Sequence, residues 1–596
     1  MKPRAALLVA LAWLPAAQAA PPSADDARAF ANQVDAEYKE RSVRSGTSDW
    51  IHQTYITEDT ERLSSVENDE LLAFIAASVK ASTQWKGQKL DPETERKLYL
   101  LRSSQALAAP SDPKLRRELT DLTAQMDGEY GKAKACDASG KKCRDLEELS
   151  KVMAKSRDEK QLFEAWKGWH DTARPQRARY ARFVELSNAG AKEIDFPDTG
   201  AMWRSGYDMS PDDFEKETNR LWAQVAPLYQ DLHCYVRGRL RKTYGDKVPA
   251  NGPIPAHLLG NMWAQDWATI YPLVEPYAGK GNLDVTGALE RQKWDAVKMA
   301  RTAESFFTSL GLPSLPETFW QRSMLTKPRD REVVCHASAW DLTLGGDVRI
   351  KMCMKPTEED LTTIHHELGH DYYYLAYYKL PAIFQSGAHD GFHEAIGDTI
   401  RLSMTPGYLK QIGLVDKVPN DPQAELNVLM KMALERVAFL PFALLIDQWR
   451  WDVFSGKTKP ADYNKTWWAL HLKYRGIVPP VARTEEDFDA GAKYHIPANT
   501  PYMRYFLSYI VQFQFYRAMC KAAGHTGPLN KCNFYGSKEA GQRLWAMLSM
   551  GASKPWPDAL EAMTGERQMD GGALLEYFGP LQAWLKEQNK GQRCGW

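Results

Sequence analysis

The chain has 596 residues, with 76 basic and 76 acidic side chains and a formal charge of zero. That balance excludes a general nucleic-acid or anionic-membrane surface. After the N-terminal segment, no run of about twenty apolar residues offers a membrane span.

Residues 1–20 read as an export signal: Lys2 and Arg4 form a positive end, Ala5 to Trp13 an apolar stretch, and Ala17-Gln18-Ala19 a small-residue cleavage site. Its removal leaves 74 basic against 76 acidic residues. No Ser/Gly linker, low-complexity block or internal repeat divides the remainder, so residues 21–596 are expected to form a single domain. The mature protein is expected to be soluble and exported, either periplasmic or secreted, without a membrane anchor. High aromatic content (20 Trp, 26 Tyr, 20 Phe) fits a large interior or a wide substrate channel.

Eight cysteines in an exported chain suggest disulfides. Cys136/Cys143, Cys335/Cys353 and Cys520/Cys532 are close pairs in sequence. Cys234 and Cys594 are left over, and their pairing is a hypothesis that would tie the C-terminus to the body.

Most of the chain carries helical periodicity. Ala27 to Arg41, a segment starting at Ile51, Glu93 to Ala108 and Pro113 to Gln125 read as helices, either a lid or outer helices. Leu149 to Trp169 reads as one long helix, and Arg174 to Ala189 as another with Pro175 in its first turn. Pro211 to Tyr244 reads as two helices divided near Pro227, and Ala424 to Phe454 as a helix kinked at Pro441. Strand-like alternation is confined to Val333–Trp340 and Val348–Met352, around a Gly345-Gly346-Asp347 turn. That hairpin could lay an edge strand along a neighbouring site. The expected fold is mainly α with one short β-hairpin.

Directly after the hairpin comes a helical stretch with His366-Glu367-Leu368-Gly369-His370. Histidines four apart share one helix face and can reach one zinc ion, with Glu367 placed to act on water activated by the metal. Thr357 and the acids Glu358, Glu359 and Asp360 supply a helix start. Downstream, Gly391 to Asp398 reads as a second helix start. Glu394 is the preferred third ligand, with Asp398 an acceptor for a ligand histidine N–H, while His389 and His393 are rivals. Further on, Lys493, His495, Tyr502 and Tyr505 are close enough in sequence to supply oxyanion donors and a carboxylate clamp. An aromatic core helix with a snorkelling lysine explains the same residues equally well.

Longer stretches carry a family resemblance. Residues 255–265 (Pro255 to Gln265), 334–340 (Val334 to Trp340), 365–370, 391–398, 491–497 and 523–529 resemble the angiotensin-converting enzyme family of zinc peptidyl-dipeptidases. The likeness runs from about residue 25 to the C-terminus and suggests a bacterial single-domain homologue. It implies a helical ellipsoid of two halves around a deep central channel, with N-terminal helices as a lid. It implies that His366, His370 and Glu394 hold Zn2+, and that Glu367 acts as general base and then general acid. His495 and Tyr505 would stabilise the tetrahedral intermediate, while His336, His495 and the Ala337 backbone would hold the substrate chain. Gln265, Lys493 and Tyr502 would grip the free C-terminal carboxylate of an oligopeptide, so that a dipeptide leaves. The three close cysteine pairs match the family's disulfides.

The resemblance also implies chloride at Tyr207 and Arg504. A second anion site is expected to be weakened, because His170 and His471 stand where the family has arginines and only Trp467 matches. One glycosylation sequon, Asn464-Lys465-Thr466, is present. Competing readings are another zinc oligopeptidase or monocarboxypeptidase of this fold, and a catalytically dead peptide-binding relative.

Overall fold

The computed structural model describes residues 23–103, 105–137, 139–280, 283–418 and 420–596. The export signal expected at residues 1–20 lies outside them. Helices dominate, and the strands among the described residues form three two-stranded sheets. This is the mainly α fold with a short hairpin that the periodicity predicted.

Helix boundaries follow cap chemistry. Ser23 opens Ala24–Thr54 with a reciprocal cap, accepting from the Asp26 N–H at 3.1 Å while the Asp26 carboxylate accepts from the Ser23 N–H at 2.8 Å. Glu58–Ser82 comes next and packs against that first helix. The pair is tied to the segment before the hairpin, since the Val334 N–H donates to Gln53 O at 2.8 Å and the Ile56 N–H to Glu332 O at 3.0 Å.

The structure departs from the sequence pattern at three helices. The long helix expected over Leu149–Trp169 is two, Leu146–Lys155 and Glu159–Asp171, because Asp158 caps the second through the Gln161 N–H at 3.1 Å. Conversely, Pro211–Tyr244 is one 34-residue helix that runs through Pro227. Large buried residues flank the proline on both sides, and that packing outweighs its local penalty. The Ala424–Phe454 stretch breaks rather than kinks, giving Pro422–Arg436 and Leu440–Phe454, with Pro441 in the first turn of the second.

Leu440–Phe454 is buried on all sides and anchors the site. A charge in such a helix must be paired. Asp447 pairs with Arg450 on the same helix. It also accepts from the backbone N–H groups of Tyr502 (2.7 Å) and Met503 (2.6 Å). A carboxylate thus sits at the positive end of Met503–Ala522, the helix that carries Arg504 and Tyr505.

The hairpin pairs Ser338–Asp341 with Val348–Lys351. Its first strand starts later than expected, since residues before it are held by other bonds. Cys335 is bridged to Cys353, and Lys351 Nζ donates to the carbonyls of Val334 and His336. The hairpin packs on Glu358–Tyr377, the helix of the zinc motif.

Four disulfides are present: Cys136–Cys143, Cys335–Cys353, Cys520–Cys532 and, as hypothesised, Cys234–Cys594 across 360 residues. Beside the last, Arg237 donates to Gly252 O at 3.0 Å and Gly595 O at 2.8 Å, clamping the C-terminal segment. Among the described residues no helix is long and apolar enough to cross a membrane. Asn464 of the sequon is buried, with Nδ2 donating to Thr484 O at 3.1 Å and Asp489 Oδ2 at 3.2 Å, which leaves no acceptor for a glycan.

Because the Cys234–Cys594 bridge constrains the longest loop of the four, Cys594→Ser should destabilise the fold by about 2–4 kcal/mol. A lower urea midpoint under non-reducing conditions is the expected readout, and an unchanged midpoint would contradict it.

Candidate metal centre

Thr357 caps the motif helix through the Asp360 N–H at 3.1 Å, and Glu358, Glu359 and Asp360 fill its first turn. His366 and His370, four residues apart, then face the helix Phe392–Leu402, which carries Glu394 in its first turn. One ligand atom from each of His366, His370 and Glu394 lies within 4.8 Å of the other two. The two Nε2 atoms are 3.2 Å apart, and His366 Nε2 is 3.5 Å from Glu394 Oε2. Two imidazoles and one carboxylate are the donor set of a catalytic zinc site, so the residues present fit that metal.

The close approach has a steric cause. A Cβ on Gly369 would lie 2.9 Å from Gly397 Cα, and one on Gly397 would lie 2.6 Å from His366 Nδ1. Only the paired glycines let the two helices come near enough for Glu394 to join the histidines.

Both rival ligands are occupied elsewhere. His389 is buried, and its Nδ1 accepts from the Gly391 N–H at 3.0 Å. His393 stands behind His370, with Nδ1 3.2 Å from His370 Nδ1 and Nε2 3.0 Å from the Tyr377 hydroxyl. His365, the extra histidine of the motif, is a core anchor: Nδ1 donates to Leu361 O at 2.7 Å, and Nε2 accepts from the Tyr408 hydroxyl at 2.7 Å.

Asp398 lies 3.4 Å from His366 Nδ1, as the i, i+4 spacing from Glu394 suggested. Arg436, which no local sequence pattern points to, holds Asp398 from behind at 2.9 Å and donates to Gln512 Oε1 at 2.5 Å. Burial would raise the Asp398 carboxyl, but Arg436 and His366 overcome it and hold it far below the usual range. Burial alone would likewise lower His366. Asp398 and Glu394 outweigh it and, without metal, raise that imidazole to about 10.

Glu367, between the two ligand histidines in the chain, is itself buried. Burial raises its pKa and Glu394 adds to the rise, while His366, His336 and Lys351 oppose it. That brings a carboxylate toward the range of a general base.

The later residues form a connected arc. Lys493 Nζ donates to Gln265 Oε1 at 2.7 Å and sits 4.3 Å over the Trp263 ring and 5.6 Å from the Tyr502 ring. Ring centroids run from His495 to Tyr502 at 4.6 Å, from Tyr502 to Tyr505 at 4.8 Å and from His495 to Tyr505 at 5.9 Å. Burial lowers Lys493 to about 7. Burial, with Lys493, Arg450 and Arg504, lowers His495 to about 3, which keeps the ring neutral. His495 Nδ1 is buried and has no partner among the described residues. Burial raises Tyr505, with Arg504 opposing and Glu394 adding to the rise.

The two expected anion sites differ in what lines them. His170 stacks on Trp166 at 3.9 Å and donates from Nδ1 to Trp166 O at 2.9 Å, and His471 packs on Trp467 at 4.7 Å. Burial lowers both imidazoles, and they line a small aromatic cavity rather than a cationic one. At Tyr207 and Arg504 a protein carboxylate is already present. Asp390 Oδ2 accepts from the Tyr207 hydroxyl at 3.1 Å and lies 3.2 Å from Arg504 Nε.

Gly397→Ala should overpack the site by about 1–3 kcal/mol and weaken zinc binding, with the helices otherwise intact. Asp398→Asn should weaken it about 10–100-fold. Competition against a chromogenic chelator measures both, and undiminished affinity in either variant would contradict this geometry.

The whole of residues 21–596 matches the peptidase family model described as angiotensin-converting enzyme. Relatives of that name include one from Rattus norvegicus, 46% identical over 589 residues, 96% of this chain and 44% of the relative. One from Bos taurus is 47% identical over 593 residues, 96% and 45% respectively. One from Theromyzon tessulatum is 43% identical over 560 residues, 92% of this chain and 90% of the relative. The chain thus spans about half the length of the curated mammalian relatives it matches.

Proposed function

The chain belongs to the angiotensin-converting enzyme family of peptidases, and from that premise we propose that it is a zinc peptidyl-dipeptidase acting on oligopeptides with a free C-terminus. The observation that carries the reading is the pairing of a His-His-Glu metal centre with a buried cation. Lys493, bonded to Gln265 at 2.7 Å, reaches Tyr505 through Tyr502, and the helix of Tyr505 packs on the helix that carries Glu394. A hydrolytic metal combined with a carboxylate clamp would make an exopeptidase.

Zinc held by His366, His370 and Glu394 would supply a Lewis acid for the scissile carbonyl and lower the pKa of water. Glu367 takes the proton of the attacking water and later returns it to the leaving amine. The Tyr505 hydroxyl and the neutral His495 donate to the oxygen that gains negative charge. His336, ahead of the hairpin, and the backbone at Ala337 hold the substrate chain, with His495 on the carbonyl between the departing residues. Gln265, Lys493 and Tyr502 bind the terminal carboxylate, which puts the scissile bond two residues upstream.

Four disulfides favour an oxidising compartment, so the protein is proposed to be exported, with residues 21–596 working as one domain. The aromatic cavity beside His170, Trp467 and His471 is proposed to hold no chloride, since neutral imidazoles replace the cations that would attract it.

An N-blocked tripeptide with a free C-terminus should release its C-terminal dipeptide, whereas the same peptide as a C-terminal amide should be cleaved far more slowly. Glu367→Gln should retain zinc and lose about 10²–10⁴-fold in rate. Lys493 binds carboxylate only when protonated, so kcat/KM for the free acid should fall as pH rises through about 7. Lys493→Met should abolish that alkaline limb and leave a low, flat profile. Equal cleavage of acid and amide would refute the clamp, and a fully active Glu367→Gln would refute the base.

A further inference from the structure

Asp390 belongs to no motif of the sequence, yet the fold gives it a charged partner beside the metal centre. It immediately precedes Gly391, the cap of the helix that carries Glu394. Arg504 lies in the first turn of Met503–Ala522, next to Tyr505. These two helices pack against each other, and a Cβ on Gly391 would lie 3.2 Å from Arg504 O, so their N-terminal ends meet closely at this point. The Asp390 side chain is positioned by Tyr207 at 3.1 Å, itself stacked on Phe214 at 3.9 Å, and by Arg504 at 3.2 Å. His389 is 4.0 Å from Asp390 Oδ1 and is kept neutral by burial; burial and the charge of Asp447, itself paired with Arg450, raise the Asp390 carboxyl, while Arg504 and Tyr207 oppose the rise.

Arg504 has no other carboxylate within ion-pair distance among the described residues. Its Nε is buried and lacks an aligned acceptor, so Asp390 holds it by charge rather than by a directed hydrogen bond. Removing one partner of such a pair leaves the other charge uncompensated. The pair spans the junction between the segment of a metal ligand and the segment of the Tyr505 hydroxyl.

We propose that Asp390 is the resident anion of this site, a positioning residue that holds Arg504, and through it Tyr505, in place without any diffusible halide. The chloride expected between Tyr207 and Arg504 is then replaced by the protein's own carboxylate. Asp390 and Arg504 side chains are 30% and 34% exposed, so a small anion from solution can reach the space that a truncated Asp390 would vacate.

This inference rests on the peptidase reading, and its test separates the two. Tripeptide cleavage by the zinc-loaded full chain is measured across a chloride titration at constant ionic strength, with a bulky organic anion as the balance. The wild type should be active without chloride and should not respond to it. Asp390→Ala should fall about 10–100-fold in chloride-free buffer, chiefly in kcat, because a displaced donor misses the transition state. Chloride or formate should restore most of that loss, and Arg504→Gln added to Asp390→Ala should abolish the rescue. A wild type stimulated severalfold by chloride overturns the proposal, whether or not the variants fold. So does a folded Asp390→Ala that is fully active without anions, or one that no small anion rescues. A wild type with no cleavage under any condition would instead overturn the peptidase reading.

Discussion

The motif helix and the helix of Glu394 touch at Gly369 and Gly397, where any side chain would strike the opposite backbone or the His366 ring. The metal centre depends on this contact more than on any hydrogen bond. Two histidines on one helix can orient toward a metal, but a third donor must come from elsewhere at a fixed depth. Asp398 then uses the same closeness to reach His366 Nδ1, and Arg436 holds Asp398 from the far side. Packing sets the distance, and charge pairing sets the ring orientation.

Burial does most of the electrostatic work around this centre. It raises Glu367 and Tyr505, and it lowers Lys493 and His495. The consequence is a division of labour among groups that titrate differently in water. Glu367 is shifted toward the range in which a carboxylate accepts a proton, and His495 is kept neutral. Lys493, lowered to about 7, can hold or lose its charge around neutral pH, which in the proposed reading makes a substrate carboxylate its stabilising partner. A desolvated cation of this kind discriminates strongly between a charged terminus and an internal peptide segment.

Much of this was legible in local spacing. His366 and His370, and Glu394 and Asp398, sit four apart on helices whose starts are marked by the residues before them. Asp158 caps Glu159–Asp171, yet the helical periodicity that continues across it concealed the break. Arg436 carried no signal at all: it lies 38 residues beyond Asp398, on a separate helix. Asp390 was hidden for another reason. In a short loop between His389 and Gly391 a carboxylate reads as turn chemistry, and only the fold brings Tyr207 and Arg504 to it. Pro227 inside one helix shows the same principle in reverse, with tertiary burial overriding a strong local preference.

In the proposed reaction the metal centre determines the bond chemistry, while the clamp at Gln265, Lys493 and Tyr502 determines which bond is cut. Mass analysis of the products from an unblocked decapeptide with a free C-terminus, followed over time, tests it most directly. The products should form a ladder of peptides shortened two residues at a time, with dipeptides accumulating and the whole series lost on chelation. Loss of single residues, cleavage at internal bonds, or an unchanged ladder in the presence of chelator would contradict it.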